Sequence, residues 1–239
     1  MANFPFQRLQ ADLAALIQRT PAGSRLISEP ELAKQLGVSR ATLREAMRTF
    51  ETQGLIRRRQ GAGTFVVGQV PIMDAGLEVL ESIDTMAHRR NLAVTVSDLN
   101  VDRVEADAEH ARELGLATGT CVTRIRRVMR ADTRPVAYLV DTLPEDVLRS
   151  VDLPQDFDGS VLDFMLERGD DLRISRAAIS ATNATAEVAK ALEIQRGDVL
   201  LKFVSQLYST DGRVLDYTFS YFIPGYFNFH VVRRIGNSK

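Results

Sequence analysis

Three arginines recur every four residues in the segment "SRATLREAMRTF", at Arg40, Arg44 and Arg48. At about 100° per residue, this spacing places their guanidinium groups along one face of a helix. An apolar stripe runs beside that face and consists of Leu43, Ala46, Met47 and Phe50. Guanidinium groups hydrogen-bond to DNA phosphates and to guanine, but a basic helix face is often only a solvated surface. The spacing alone leaves both interpretations open.

The elements around these arginines favour DNA binding. Ser39 is a good N-cap for their helix, and Gly54 is a good residue to end it. An amphipathic helix is predicted over residues 5–18, and Ser28 with Glu31 forms a capping box for a second helix. After Gly54, "LIRRR" and "TFVV" predict two short strands joined by "QGAG". Three helices followed by a hairpin predict a winged helix-turn-helix, whose third helix enters the major groove.

The charge of the chain is divided unevenly. Residues 1–67 hold ten Lys or Arg against five Asp or Glu, a net charge of +5, although the whole chain has a net charge of -1. Such asymmetry suggests that the N-terminal part meets a polyanion. The single cysteine, Cys121, excludes an internal disulfide, and no apolar run approaches the ~18 residues that a membrane span requires. We expect a cytoplasmic protein without a signal peptide, membrane segment or cofactor.

The stretch "LISEPELAKQLGVSRATLREAMRTFETQGLIRRRQGAGTFV" resembles the DNA-binding domain of the GntR family of bacterial repressors. The resemblance covers about residues 5–67 and implies a DNA-binding domain over residues 1–67. It implies that bases or phosphates are contacted from the recognition helix by Ser39, Arg40, Thr42 and Arg44. We add Arg48 because of its spacing, and by resemblance Gly61 lets the wing enter the minor groove. Many members have arginine where this chain has Pro30, so one contact from the second helix is missing.

A second domain is predicted over residues 77–239. The segment "GQVPIMDA" lacks periodicity and contains a proline, so residues 68–76 are predicted to be a linker. A helix is then predicted from the spacing of Leu77, Leu80, Ile83 and Ala87.

Beyond that helix, the sequence contains a weak internal repeat. "AEHARELGLATG" at 108–119 matches "AEVAKALEIQRG" at 186–197, and "ADTRPVAYLV" at 131–140 matches "TDGRVLDYTF" at 210–219. Each unit predicts a short helix, a strand, a turn and a second strand. Two such units predict a pseudo-symmetric antiparallel sheet with helices packed on it, which is an α+β domain.

This second half resembles the UTRA effector-binding domain of the HutC branch of GntR regulators, whose fold is similar to chorismate lyase. The resemblance covers about residues 75–235 and is carried by "RIRRVMRADTRPVA", "GSVLDFML" and "TDGRVLDYTFSYF". It implies that a small-molecule effector binds in this domain and changes the affinity for operator DNA.

The resemblance also implies which residues hold the effector. Relatives that bind amino-sugar phosphates use positions that correspond here to Arg127, Ser160 and Asp216. Three further polar positions of those relatives are apolar in this chain, namely Met129, Leu139 and Phe222. Each lost charge-assisted hydrogen bond is worth roughly 1.5–3 kcal/mol. We therefore expect a pocket that includes Arg127, Ser160, Asp216 and Phe222 and that takes a weakly polar acid or a neutral metabolite.

Two other classes of function compete with that of an effector-controlled repressor. An enzyme is disfavoured because His88, His110 and His230 lack metal-ligand spacing and no GxSxG, Walker A or Cys-His signature is present. A DNA-binding protein that senses nothing would not need a large strand-rich domain. Since one winged helix contacts few base pairs, we expect a homodimer on a pseudo-palindromic site in double-stranded DNA.

Overall fold

The structure, a computed structural model, divides into two compact units. It describes residues 4–52, 54–59, 62–67, 73–89, 92–155, 157 and 159–233. Unit 1 comprises Met1–Ile72 with Pro224–Tyr226, and unit 2 comprises Met73–Ile223 with Phe227–Lys239.

Unit 1 contains the predicted three helices and hairpin. Its elements are α1 (Phe4–Arg19), α2 (Glu29–Gln35), α3 (Arg40–Thr52), β1 (Ile56–Arg59) and β2 (Gly63–Val66). The capping box of α2 is formed by Ser28 and Glu31, as predicted. Ser39 Oγ accepts a hydrogen bond from the N–H of Thr42 at 3.0 Å and caps α3. Gly54 follows α3 with a φ of +69°, a conformation that favours glycine.

The core of unit 1 explains why α3 presents its arginines outward. The predicted apolar stripe of α3 is buried, with Leu43 and Ala46 fully inaccessible. It packs with Leu13 of α1 and Leu32 of α2, and β1 and β2 add Ile56, which pairs with Val66 in the hairpin. Burial of this stripe fixes the rotation of α3, so the residues between the core positions face solvent.

Unit 2 is built on one sheet of six strands, namely β4 (Val94–Glu105), β5 (Cys121–Ala131), β6 (Arg134–Pro144), β7 (Ile174–Asn183), β8 (Val199–Tyr208) and β9 (Val214–Phe222). Their order in the sheet is β4-β5-β6-β9-β8-β7, and every neighbouring pair is antiparallel. The helices are α4 (Ile83–His88), α5 (Ala108–Leu114), α6 (Val161–Arg168) and α7 (Ala186–Ala191). The α+β prediction is confirmed.

The predicted repeat is visible in the topology, because β4-α5-β5-β6 and β7-α7-β8-β9 follow the same path. Even the turn hydrogen bonds correspond at the offset of 78. The N–H of Gly119 donates to Ala106 O at 2.8 Å, and the N–H of Gly197 donates to Ala184 O at 2.9 Å. The two halves meet where β6 pairs with β9, at the centre of the sheet.

Reciprocal hydrogen bonds join the two halves of unit 2. Tyr138 on β6 donates its hydroxyl to Glu187 on α7 at 2.9 Å, and Tyr217 on β9 donates to Glu109 on α5 at 3.0 Å. Burial and the bonded carboxylates raise the pKa of both phenols, which therefore stay protonated donors. Each helix is thus held over the sheet by a strand of the other half.

The structure differs from the sequence predictions in the predicted linker and at the start of the helix that follows it. Residues 68–72 of the predicted linker lie outside the described residues, and its last four residues form a strand, β3 (Met73–Gly76). This strand pairs in parallel with β10 (Phe227–His230), a partner about 150 residues away that no local pattern signals. The helix predicted to begin near Leu77 begins only at Ile83, because Ser82 provides the N-cap and bonds the N–H of Thr85.

Candidate functional site

The N-terminal end of α3 presents most of the predicted DNA-contacting side chains to solvent. Ser39, Arg40, Thr42 and Arg44 are all exposed, and Arg48 is half-buried and engaged in a contact of its own. Ser39 Oγ and Thr42 Oγ1 lie 2.8 Å apart, so the cap also orients the threonine hydroxyl. Donors and acceptors at this end of a recognition helix are placed to reach base edges.

A cleft of about 550 Å³ lies beside this end of the helix. Five exposed arginines contribute to its lining, namely Arg25, Arg40, Arg44, Arg58 and Arg59. Pro30, in the first turn of α2, also lines the cleft in place of the arginine common in the family. The structure therefore joins the recognition helix and the wing strand β1 in one basic surface, which suits a DNA backbone.

Two acidic residues that the sequence did not single out hold this basic surface. Glu29 Oε2 accepts from Arg44 Nε at 2.7 Å, and Glu29 Oε1 lies 3.2 Å from Arg58 Nε. Glu51 accepts a hydrogen bond from the backbone N–H of Arg58 at 3.3 Å. No local pattern could have identified these contacts, since each joins two different elements of unit 1: α2 to α3, α2 to β1, and α3 to β1.

The wing is described except at its tip. Gly61 and the residue before it lie outside the described residues, so the predicted role of Gly61 stays a prediction. Gly63 has a φ of +110°, a backbone conformation that residues other than glycine rarely adopt. The guanidinium of Arg59 lies 5.2 Å from the ring centre of Phe65 across the hairpin, which is a cation–π contact within the wing.

In unit 2, a buried ionic cluster forms on the face of the sheet that packs against α6. Arg127 on β5 donates to Asp141 on β6, and both are nearly inaccessible to solvent. Thr218 on β9 donates its hydroxyl to Asp216 Oδ2 at 2.9 Å, and that hydroxyl lies 3.3 Å from Asp141 Oδ1. Asp216 also accepts from the backbone N–H of Thr142 at 3.2 Å. Arg127 and Asp216 are thus brought together by Asp141, which the sequence analysis missed.

Asp216 carries the clearest electrostatic perturbation in this cluster. Burial and the neighbouring Asp141 carboxylate raise its pKa well above the usual aspartate value. A neutral Asp216 leaves the cluster with one cation, Arg127, and one anion, Asp141. The cluster then carries no net charge.

Ser160 lies at the start of α6 beside Arg127. Its Oγ accepts from the N–H of Asp163 at 3.3 Å and lies 2.7 Å from Asp163 Oδ2, so Ser160 caps the helix. Gly159 precedes it with a φ of +96°, and a Cβ at that position would lie 3.1 Å from Arg127 Cδ and 3.0 Å from Val96 Cγ1. Only glycine lets the chain approach Arg127 this closely.

Phe222 lies on the same face of the sheet but in a different cluster. Its ring centre is 4.8–5.1 Å from those of Phe203, Phe227 and Phe229. Phe222 is buried among these rings, and their edge-to-face contacts are those of an apolar core. The structure therefore brings Arg127, Ser160 and Asp216 near one another. It places Phe222 in a separate cluster of phenylalanine rings on the same face of the sheet.

Two of the three apolar replacements that the family resemblance implies lie next to Arg127. Leu139 is its cross-strand partner, and Met129 follows it on the same face of β5; both are buried. Asp141 lies two residues beyond Leu139 on that face. A lone carboxylate in the apolar run "AYLVDTLP" was the signal in the sequence that could have pointed to it.

Among the residues that the structure describes, no three His, Cys, Asp or Glu side chains are grouped as metal ligands. None of the helices described is long and apolar enough to cross a membrane.

Comparisons with known proteins agree with this architecture. The family model "Bacterial regulatory proteins, gntR family" matches residues 6–66, and the model "UTRA domain" matches residues 89–228. The HTH-type transcriptional regulator Rv0792c of Mycobacterium tuberculosis is 32% identical over 219 residues, which cover 90% of this chain and 79% of the relative. The HTH-type transcriptional repressor NagR of Bacillus subtilis is 29% identical over 194 residues, which cover 80% of this chain and 78% of NagR. The crystal structure of PhnF from Mycobacterium smegmatis shares the fold, with a TM-score of 0.65 at 22% identity over 95% of this chain and 100% of that one.

Proposed function

Because the chain belongs to the GntR family of transcriptional regulators and carries a UTRA effector domain, we propose that it is a cytoplasmic homodimeric repressor of a pseudo-palindromic operator. Residues 1–67 bind the operator through Ser39, Arg40, Thr42, Arg44, Arg48 and the wing. Unit 2 binds a small molecule, without transforming it, and joins the two protomers. The NagR relative is named a repressor, which supports repression here.

The observation that carries the DNA-binding role is the basic cleft between α3 and the wing. Its five arginines come from three separate segments of unit 1, and the folded core brings them to one surface. A merely solvated helix face would not require the wing strand to add Arg58 and Arg59. In this arrangement α3 and the wing can both contact phosphates, and α3 can in addition contact bases.

Selection from a randomised duplex pool tests this role. We expect enrichment of a short two-fold symmetric sequence, and sedimentation of its complex should give two protein chains per duplex. Enrichment of no sequence would contradict operator recognition, and one chain per duplex would contradict the homodimer.

An edge strand of unit 2 supports the placement of the dimer contact in that unit. Most β7 residues are exposed on both faces of the strand, including Ile174 at 61% and Ile179 at 45%. The opposite edge strand, β4, is instead interrupted by a register shift between Ser97 and Asn100. A long regular edge with exposed apolar residues pairs readily with another strand. Ile179→Asp should therefore raise the dimer dissociation constant, and an unchanged value would place the contact elsewhere.

We further propose that the effector binds near Arg127, Ser160, Asp216 and Phe222 and is a weakly polar acid or a neutral metabolite. The supporting observation is that Asp141 already compensates the charge of Arg127 in a buried pair. A doubly charged sugar phosphate would have to displace Asp141 and leave a carboxylate buried without its partner, which is costly. A neutral or weakly acidic group avoids this penalty.

Calorimetry with glucosamine-6-phosphate, organic acids and neutral metabolites tests the effector class, with Arg127→Lys as the site variant and Arg173→Lys as its control. We expect Arg127→Lys, but not Arg173→Lys, to weaken binding of the compound that binds the wild-type chain. That compound should change operator affinity 5- to 150-fold, the usual scale of such coupling. Tight binding of the sugar phosphate would contradict the class. If no compound changed operator affinity, the effector-independent alternative would hold.

A further inference from the structure

Glu29 forms a bridge between the recognition helix and the wing. It is the first residue of α2, and its carboxylate offers one oxygen to each element: Oε2 to Arg44 on α3 at 2.7 Å, and Oε1 to Arg58 on β1 at 3.2 Å. The Glu29 side chain is only 15% exposed, whereas those of Arg44 and Arg58 are 58% and 35% exposed. Glu29 also lines the cleft, but its carboxylate is more shielded from solvent than the two guanidinium groups.

The atoms used in this bridge leave the arginines able to bind DNA. Glu29 approaches both guanidinium groups at Nε, and the described residues provide no other side-chain partner for Arg44 or Arg58. The Nη groups, which form the fork that recognises guanine or phosphate, remain available. A bond at Nε also limits rotation of the side chain and so orients that fork.

Charge gives a second reason for an acid at this position. Five arginines line the cleft, and like charges drive long flexible side chains apart into many rotamers. A half-shielded carboxylate between two of them offsets this repulsion and holds both before DNA arrives, which reduces the ordering cost of binding.

We infer that Glu29 is a positioning residue for operator recognition, which holds Arg44 and Arg58 in a fixed relation so that helix and wing bind the operator as one surface. The inference rests on the proposed DNA-binding function. It gives Glu29 no contact with DNA and assigns its effect to the two arginines.

Removal of the Glu29 charge distinguishes this role from simple electrostatics. Glu29→Gln takes a negative charge away from a DNA-facing surface, so electrostatics alone would tighten binding to every duplex. Loss of positioning instead weakens operator binding while leaving binding to a scrambled duplex equal or tighter. For the two arginines together, we expect operator affinity to fall about 3- to 30-fold.

The probes are a duplex selected by the wild-type chain and a scrambled duplex of the same composition. Glu31→Gln is the matched control: it makes the same charge change two residues away, and glutamine can maintain the capping box with Ser28. We expect Glu31→Gln to bind both duplexes as tightly as the wild type or more tightly, and thermal unfolding should confirm that both variants are folded. In an Arg44→Ala, Arg58→Ala background, Glu29→Gln should cause no further loss of operator affinity.

Operator binding by Glu29→Gln that equals or exceeds that of the wild type would overturn the inference. A loss that persists in the double-alanine background would overturn it as well, because Glu29 would then act through another group. Failure of the wild type to prefer any duplex is a separate outcome, since it contradicts the proposed function itself.

Discussion

Arginine is used in opposite ways in the two units. Arg44 in unit 1 keeps 58% of its side chain exposed although Glu29 bonds its Nε. Arg127 in unit 2 is 7% exposed and pairs with Asp141, itself 6% exposed. An exposed guanidinium exchanges water or a weak ion pair for a phosphate at little cost, whereas a buried one cannot change partner without leaving a charge unpaired. Arg44 can therefore exchange its partner for DNA, as its proposed role requires, whereas Arg127 is fixed in its ion pair.

The largest expected effect comes from breaking the buried pair. Asp141→Ala leaves Arg127 buried without a carboxylate, and we expect about 3–5 kcal/mol loss in the free energy of unfolding. Denaturant titration of the full chain measures it. The double variant Arg127→Met with Asp141→Leu removes both charges and should recover most of the stability. A single variant as stable as the wild type would show that Arg127 is not effectively buried.

The corresponding change in unit 1 acts on binding instead of stability. Arg44→Ala should weaken operator binding by about 1–3 kcal/mol if Arg44 contacts a base, with little change in the unfolding temperature. Filter binding at several salt concentrations checks this result. If Arg44 contacts only phosphate, the loss should be the same for scrambled DNA and the salt dependence should become shallower.

How much the sequence could predict also differs between the units. In unit 1 the caps at Ser28 and Ser39, the apolar stripe and the arginine spacing all act within a few residues, and they predicted the three helices and the hairpin. Glu29 escaped notice because its partners Arg44 and Arg58 lie 15 and 29 positions along the chain. Periodicity reports which face of a helix is buried, but it does not report which ion pairs cross between elements.

In unit 2 the repeat predicted α5-β5-β6 and α7-β8-β9, because each repeated helix, strand and turn has its own local signal, but it did not include the strands β4 and β7 that precede these helices. The buried cluster depends on register instead. Asp141 meets Arg127 because β5 and β6 pair so that Arg127 lies opposite Leu139, two residues from Asp141. Strand β3 was missed for the same reason, since its partner β10 is about 150 residues away. Family resemblance supplied Arg127, Ser160 and Asp216, but it offered no position for Asp141.

Removal of a helix cap should have a smaller effect on stability than loss of Asp141, and the effect should be similar in the two units. Ser160→Ala in unit 2 and Ser39→Ala in unit 1 each remove an oxygen that bonds a helix N–H, and each should cost about 1 kcal/mol of stability. Only Ser39→Ala should also weaken operator binding, and only Ser160→Ala should weaken effector binding. Glycine at either position should restore most of the stability. Equal losses of DNA affinity in both alanine variants would contradict this division of roles.

The smallest change is expected for Asp216→Asn, and its size should depend on pH. Asparagine resembles the protonated acid, so the two proteins should be almost equally stable near pH 4, where Asp216 is neutral in the folded chain. Burial beside Asp141 raises the folded-state pKa above the unfolded one, so the contribution of Asp216 to stability is present at low pH and is lost as pH rises through the raised value. The stability of Asp216→Asn relative to wild type should therefore increase between pH 4 and neutrality. Asp12→Asn, on the exposed face of α1 and away from the cluster, makes the same substitution and is the control. A difference that instead favoured the wild type increasingly with pH would mean that Asp216 is ionised and stabilised by Arg127, and that the cluster carries a negative charge for an effector to meet.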